Sequence, residues 1–235
     1  MIFMASQELV KKKDFVNLEF LGRNLNTNEV FDTNIIEEAK KIKLELSGKP
    51  LIVCVGEGML VKGFDEALEG KEVGKKYSVK LSPENAFGKR DKKLVQLIPL
   101  KMFLAQKIMP ESGMVLALDN NLVKVISVSG GRVMVDFNNP LAGKEVEYEF
   151  VIKEMIKDTK EKINSLQRFF FNQEFDFDLD EANKKLIFKD LKLMPVLKVF
   201  QEKFKDALGL TVEILEKPKK EEKKAEEKAE KIEKK

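Results

Sequence analysis

The chain has 235 residues, room for one to two domains, and 43% apolar side chains are enough for a real core. Its 35% of charged residues nets only +3, a balance that argues against strong DNA binding. With no histidine and one cysteine it lacks the usual zinc or nickel ligands and cannot close an internal disulfide. No apolar run reaches the length of a membrane span, and Met1-Ile-Phe-Met4 is too short for the apolar part of a secretory signal, so we expect a cytoplasmic protein.

Phe15 to Arg23 sets Val16, Leu18 and Phe20 against Asn17 and Glu19, the alternation of a half-buried strand. Asn24 to Asn28 is a polar turn, and Val30-Phe31-Asp32 follows it. The segment Asn34 to Lys49 carries Ile35, Ala39, Ile42 and Leu46 at helical spacing, with Asn34 as cap and Glu37 three positions on; it reads as a helical insertion. The short apolar run Leu51 to Val55 encloses Cys54, which reads as a buried, inert thiol. Leu60, Val61, Phe64 and Leu68 then give a short helix one apolar side, and Gly70 stops it. Gly56, Gly58 and Gly63 match neither the dinucleotide fingerprint nor the phosphate loop and read as turn glycines. The pair Asp65-Glu66, and Asp176 with Asp178, have no accompanying acid-base constellation and read as solvated faces.

Tyr77, Val79 and Leu81 alternate in a further strand. From Lys89 to Leu141 come four apolar runs, Leu94 to Ile98, Met114 to Leu118, Leu122 to Val128 and Arg132 to Phe137, broken by Asp119-Asn-Asn and Gly130-Gly131 turns. About fifty residues so patterned are too many for a bare loop and predict a small β-subdomain. Val146, Tyr148, Phe150 and Ile152 form a closing strand. Beyond it, Thr159 to Phe171 and Met194 to Leu208 have amphipathic helical spacing, Phe175 to Leu179, Leu186 to Phe188 and Thr211 to Leu215 look like strands, and from Glu216 the chain is almost only Lys, Glu and Ala.

The run from Val55 to Tyr77, with its spaced glycines around Leu60, Val61 and Phe64, followed by Leu81-Ser-Pro-Glu-Asn-Ala-Phe-Gly88, resembles the core of FKBP-type peptidyl-prolyl isomerases. The resemblance implies an α+β fold, a half-barrel of curved antiparallel sheet wrapped on a short helix. It also implies a proline pocket formed by Phe20, Phe31, Asp32, Leu60, Val61, Phe64, Phe87 and Tyr148, with the Val61 N–H holding a substrate carbonyl and Asp32 polarising the site. Two tyrosines common in relatives are here Phe20 and Phe87, the common tryptophan floor is Phe64, and Tyr148 falls where a phenylalanine is usual. These departures predict modest activity and weaker binding of macrolide inhibitors. No metal, cofactor or nucleophile is expected.

The second insertion resembles the insert-in-flap domain of bacterial SlyD and archaeal relatives, which implies a holding surface for unfolded chains; Met102, Phe103, Leu104, Ile108, Met109 and Met114 are its candidates. SlyD relatives carry a His- and Cys-rich tail, whereas the tail here is almost only Lys, Glu and Ala, so nickel or zinc handling is not expected. The expected organisation is an isomerase domain over 11–88 and 142–157, the inserted subdomain over 89–141, an α-β-β-α-β domain over 158–216 and a charged tail over 217–235. The α-β-β-α-β segment is too small to bury much surface alone, so it is expected to dock on its own isomerase body or on a second copy in a homodimer. Partners are unfolded or partly folded polypeptides with Xaa-Pro bonds, with no membrane and no specific nucleic acid. The alternative is a holdase that recognises proline-containing segments with little catalysis.

Overall fold

The computed structural model describes residues 8–118, 121–189 and 194–214. The Asp119-Asn-Asn turn in part, the strand end at Leu215 and the charged tail lie outside the described residues.

Strands β1 (Phe15–Asn24), β2 (Val30–Thr33) and β3 (Ile52–Cys54) come first, with helix α1 (Ile36–Lys41) between the last two. Helix α2 (Lys62–Leu68) leads into β4 (Lys76–Leu81). Then follow β5 (Val95–Pro99), α3 (Leu100–Ala105), β6 (Val115–Leu118), β7 (Asn121–Ser129), β8 (Arg132–Asp136) and β9 (Val146–Met155). The chain ends in α4 (Thr159–Phe171), β10 (Phe177–Asp180), β11 (Lys185–Phe188), α5 (Met194–Leu208) and β12 (Thr211–Ile214).

The first sheet is antiparallel with order β2-β1-β9-β4, and β3 also pairs β1. Thus β2 and β3 share one edge of β1, and a gap is left between them at Leu18 to Phe20. Leu51 O accepts from Leu18 N–H at one side of the gap. Asn34 fills the rest: its side-chain oxygen accepts from Phe20 N–H at 2.8 Å and its amide donates to Leu18 O at 2.6 Å, while the Thr33 hydroxyl donates to Phe20 O at 2.7 Å. Asn34 is therefore not the helix cap that its spacing suggested. The residue before α1 is Ile35, with no side-chain cap, and the helix stops at Lys41, short of Ile42 and Leu46. A buried backbone edge left unpaired is more costly than an uncapped, solvent-facing helix end, so the amide is used where the sheet needs it.

One face of the sheet packs Val16, Leu18, Phe20, Val53, Tyr148, Phe150 and Ile152 against Phe64 and Leu68 of α2. Residues of opposite parity, Phe15, Ile52 and Cys54, enter a different core with Ile163 and Leu166 of α4, Leu186 and Phe188 of β11, and Phe204 of α5. Residues 51–55 form an unbroken apolar run because β3 is covered on both faces. The C-terminal elements share this core with the chain's own β1 and β3. Within those elements Asp158 caps α4 by accepting from Glu161 N–H, and β11 pairs β12 in parallel across the α5 connection.

The residues between β4 and β9 make a separate four-stranded antiparallel sheet, order β5-β8-β7-β6. Val123, Val125, Val133 and Val135 form its core, closed by Phe103 of α3. That helix is absent from the all-β sequence reading of this stretch. Among the described residues no helix is long and apolar enough to cross a membrane.

Candidate functional site

The pocket is built around α2. Gly56 and Gly58 take positive φ, +85° and +70°, which turns the loop after β3 so that both N–H groups face back toward the helix. Asp65, in the first turn of α2 and only 5% exposed, receives them, one oxygen from Gly56 N–H at 2.9 Å and the other from Gly58 N–H at 3.0 Å. This corrects the sequence reading of Asp65 as solvated. Its carboxylate locks the loop that carries Met59, Leu60 and Val61. Gly63 is likewise not a turn glycine: a Cβ there would lie 2.6 Å from Leu81 Cδ2 and 3.0 Å from Asn85 O, so its lack of a side chain lets α2 approach β4.

Phe64, 1% exposed, is the floor. It stacks on Tyr148 with centroids 4.3 Å apart and planes 14° apart, meets Phe150 edge-on at 5.3 Å, and tilts against Phe20 at 5.8 Å. Phe31 stands edge-on to Phe87 at 5.6 Å and to Tyr148 at 5.7 Å. Gly22 makes that possible, since a Cβ there would sit 2.8 Å from the Phe31 ring.

The resulting cavity, about 360 Å³, is lined by Phe20, Asp32, Gly58, Met59, Leu60, Val61, Phe64, Phe87 and Tyr148. Seven of the eight residues named from the sequence line it; the eighth, Phe31, lies behind, bracing Phe87 and Tyr148. Met59 was not named. Its sulfur accepts from Cys54 N–H at 3.1 Å, and its place between Gly58 and Leu60 was the available signal. The Cys54 thiol is buried and pushed up to about 12 by desolvation and by the Glu57 and Asp65 charges, as suits a packing residue.

Asp32 is the one ionisable carboxyl of the lining. Partial burial raises it above the ordinary carboxylate value of 3.8, opposed by a backbone hydrogen bond from Thr33. Tyr148 is raised too, mainly by burial and further by the Asp32 charge, so its hydroxyl stays protonated near that carboxylate. Because the folded-state Asp32 value is raised, the folded protein binds the proton more tightly, and stability contributed by the neutral form is lost as pH rises through the raised value. Asp32→Asn is therefore expected to gain stability relative to the parent above about pH 4 and to lose that advantage in more acid solution; urea midpoints at pH 3 and pH 7 check it.

The client-binding candidates separate into two kinds. Met102, Leu104 and Met109 are exposed, Met109 by 71%. Ile108 and Met114 pack partly against the valine core, and Phe103 is 2% exposed within it. Phe103 is thus a core residue, contrary to its sequence assignment, because α3 turns it inward while showing Met102 and Leu104 to solvent.

Comparison with known proteins bears on what this pocket is. The chain aligns with the short-type peptidyl-prolyl cis-trans isomerase of Methanocaldococcus jannaschii over 150 residues at 36% identity, 63% of this chain and 94% of that one. The chain belongs to the FKBP-type peptidyl-prolyl cis-trans isomerase family. The family model of that description matches residues 6–105, and one described as the FKBP26 IF domain matches residues 96–141, which take in most of the four-stranded sheet. The FKBP-type isomerases called SlyD of Aeromonas hydrophila and Haemophilus influenzae align at 34% and 33% identity, over 54% and 50% of this chain and 61% and 63% of their own lengths. The alignments to these bacterial FKBP proteins thus span somewhat less than two thirds of them.

Proposed function

We propose that this FKBP-type isomerase acts in the cytoplasm on Xaa-Pro bonds of unfolded or partly folded polypeptides, lowering the rotation barrier by taking the amide out of water. The observation that carries the reading is the aromatic cavity itself, floored by Phe64 and Tyr148 with Asp32 its only carboxyl.

Rotation about Xaa-Pro breaks amide resonance against a barrier of roughly 20 kcal/mol, and no covalent bond changes. The site must bind the twisted amide better than the planar one. The planar amide carries more charge on its oxygen and nitrogen and is the form water favours; an apolar wall withdraws that water and narrows the gap. Val61 immediately precedes α2, where backbone N–H groups lack intrahelical partners, and its N–H would hold a substrate carbonyl. Asp32 would polarise the rotating amide, and its charge is felt at the Tyr148 hydroxyl. Phe87, without a hydroxyl, leaves the second carbonyl unbonded. Phe87→Tyr is then expected to raise kcat/KM or macrolide affinity by up to about tenfold, as one added hydrogen bond allows. Unchanged values for both would remove this account of modest activity.

The functional test is NMR exchange on an Ala-Leu-Pro-Phe peptide with catalytic amounts of the protein. Acceleration lost in Phe64→Ala and reduced in Asp32→Ala would support the reading, and no acceleration by the parent would overturn it. Within this proposal residues 11–88 and 142–157 are the isomerase domain, 89–141 an insert-in-flap subdomain that holds clients, and 158–216 an additional domain that buttresses β1 and β3. The holdase alternative has one favourable observation, the exposed Leu97, Met102, Leu104, Met109, Val115 and Leu122 on the four-stranded sheet, its helix and the loop that follows the helix. Deleting residues 90–140 should abolish protection of an aggregating client while leaving peptide isomerisation measurable.

A further inference from the structure

Beside the aromatic pocket opens a second and larger cavity, about 730 Å³, of the size that takes a drug-sized ligand or several side chains. Its floor is the β1 edge from Asn17 to Phe20, with Thr33 and Asn34. One wall is the loop from Leu44 to Leu51, and the other is α4, through Ser165, Arg168 and Phe169. Phe20, Asp32, Met59 and Leu60 line both cavities, so the two form one continuous depression with those residues as a shared lip.

The cavity is held open by its own framework. Glu174 accepts from Lys49 at 2.7 Å and from Arg168 at 2.6 Å, which ties the loop to the C-terminal elements, and the two cations hold its carboxyl below the ordinary range. Lys153 pairs Glu19 at 2.9 Å elsewhere on the lining. Between these pairs large apolar side chains stay in water: Phe169 is 46% exposed and Leu44 38%.

We propose that this cleft binds the polypeptide client beside its proline, taking large apolar side chains of residues that flank the Xaa-Pro bond. The proposal rests on the isomerase reading of the adjoining pocket. A chain whose proline sits over Phe64 can continue across the shared lip, and walls that expose Leu44 and Phe169, with charges of both signs at the margin, suit a mixed polypeptide better than a uniformly charged ligand. Asn34 and Thr33 already occupy the β1 edge at the floor. Recognition is therefore by side chains and not by addition of a strand. Burying two leucine-sized groups there should make a decapeptide bind at least tenfold more tightly than the tetrapeptide with the same Leu-Pro centre.

The test uses the full chain, isotope-labelled, with leucine-rich decapeptides centred on Leu-Pro that carry a nitroxide at either the N- or the C-terminal end. One of the two labels should broaden the amides of residues 44–49 and 165–169. Broadening confined to other regions with both labels, while exchange of the unlabelled peptide is accelerated, would overturn the cleft and leave the isomerase standing. Cleft broadening without acceleration would support the cleft and count against catalysis, and failure of both peptides to bind would sink the cleft. In Phe169→Ser the ratio of decapeptide to tetrapeptide affinity should fall toward one. An equal loss for both peptides would overturn the inference, since Phe169 would then act only through the pocket.

Discussion

Phe64→Ala should unfold at markedly lower denaturant and lose nearly all isomerase activity. The ring is almost wholly buried, stacks on Tyr148 and touches Phe20 and Phe150, so removing it takes away transfer energy and leaves a cavity beneath three other rings. Large aromatic truncations of this kind cost about 3–5 kcal/mol. The loss of activity should exceed what partial unfolding accounts for, because the floor that keeps water from the amide is gone. Urea unfolding together with peptide exchange at a urea-free, fully folded temperature separates the two effects. Phe64→Leu, which retains apolar volume, should recover most of the stability and part of the rate. Parent-like stability in Phe64→Ala would contradict the packing described.

Asp65→Ala should be nearly as damaging, for a different reason. Its carboxylate receives two N–H groups from the glycine loop, and hydrogen bonds to a charged group are worth about 1.5–3 kcal/mol each. With the side chain gone, Gly56 and Gly58 must find water or leave N–H groups unpaired, so a loss of about 3 kcal/mol is expected. Asparagine is a poor substitute, since only one of its side-chain atoms can accept, and its NH₂ would meet the second N–H head-on. Asp65→Asn should therefore fall closer to alanine than to the parent. Because Met59, Leu60 and Val61 ride on the same loop, KM for a prolyl peptide should rise in both variants even where the protein is folded. A KM equal to the parent's would mean that the loop keeps its shape without the carboxylate.

The comparison of these two residues shows what a sequence discloses. Phe64 was legible because its role follows from period: an apolar side at helical spacing in α2, facing strands whose alternation puts Phe20, Tyr148 and Phe150 on one face. The order of elements from α4 to β12 was legible for the same reason. Asp65 was not, because a carboxylate bonded to the N–H groups of a preceding loop looks in sequence like any acid on a helix; only the turn made by Gly56 and Gly58 brings donor and acceptor together. Asn34 was misread by the same logic: it lies one residue before the cap position of α1, and its partners, Leu18 and Phe20, lie across the sheet. Helix α3 was missed since Leu100 to Ala105 is under two turns long and apolar at four of its first five positions, which leaves no period to read. The large cleft could not be read at all, for its walls come from segments more than a hundred residues apart.

The position of Cys54 gives the molecule an internal reporter. Its thiol lies between β3 and the C-terminal elements, with no exposed surface, and its raised titration makes it a slow nucleophile even when reached. A thiol reagent can modify it only in molecules where those elements have lifted from the sheet or the whole chain has opened. Labelling rates followed against urea would thus divide local detachment, which barely responds to denaturant, from global opening, which responds steeply. The lone sulfhydryl would so measure how firmly the added elements are fastened to the catalytic body, without any engineered probe.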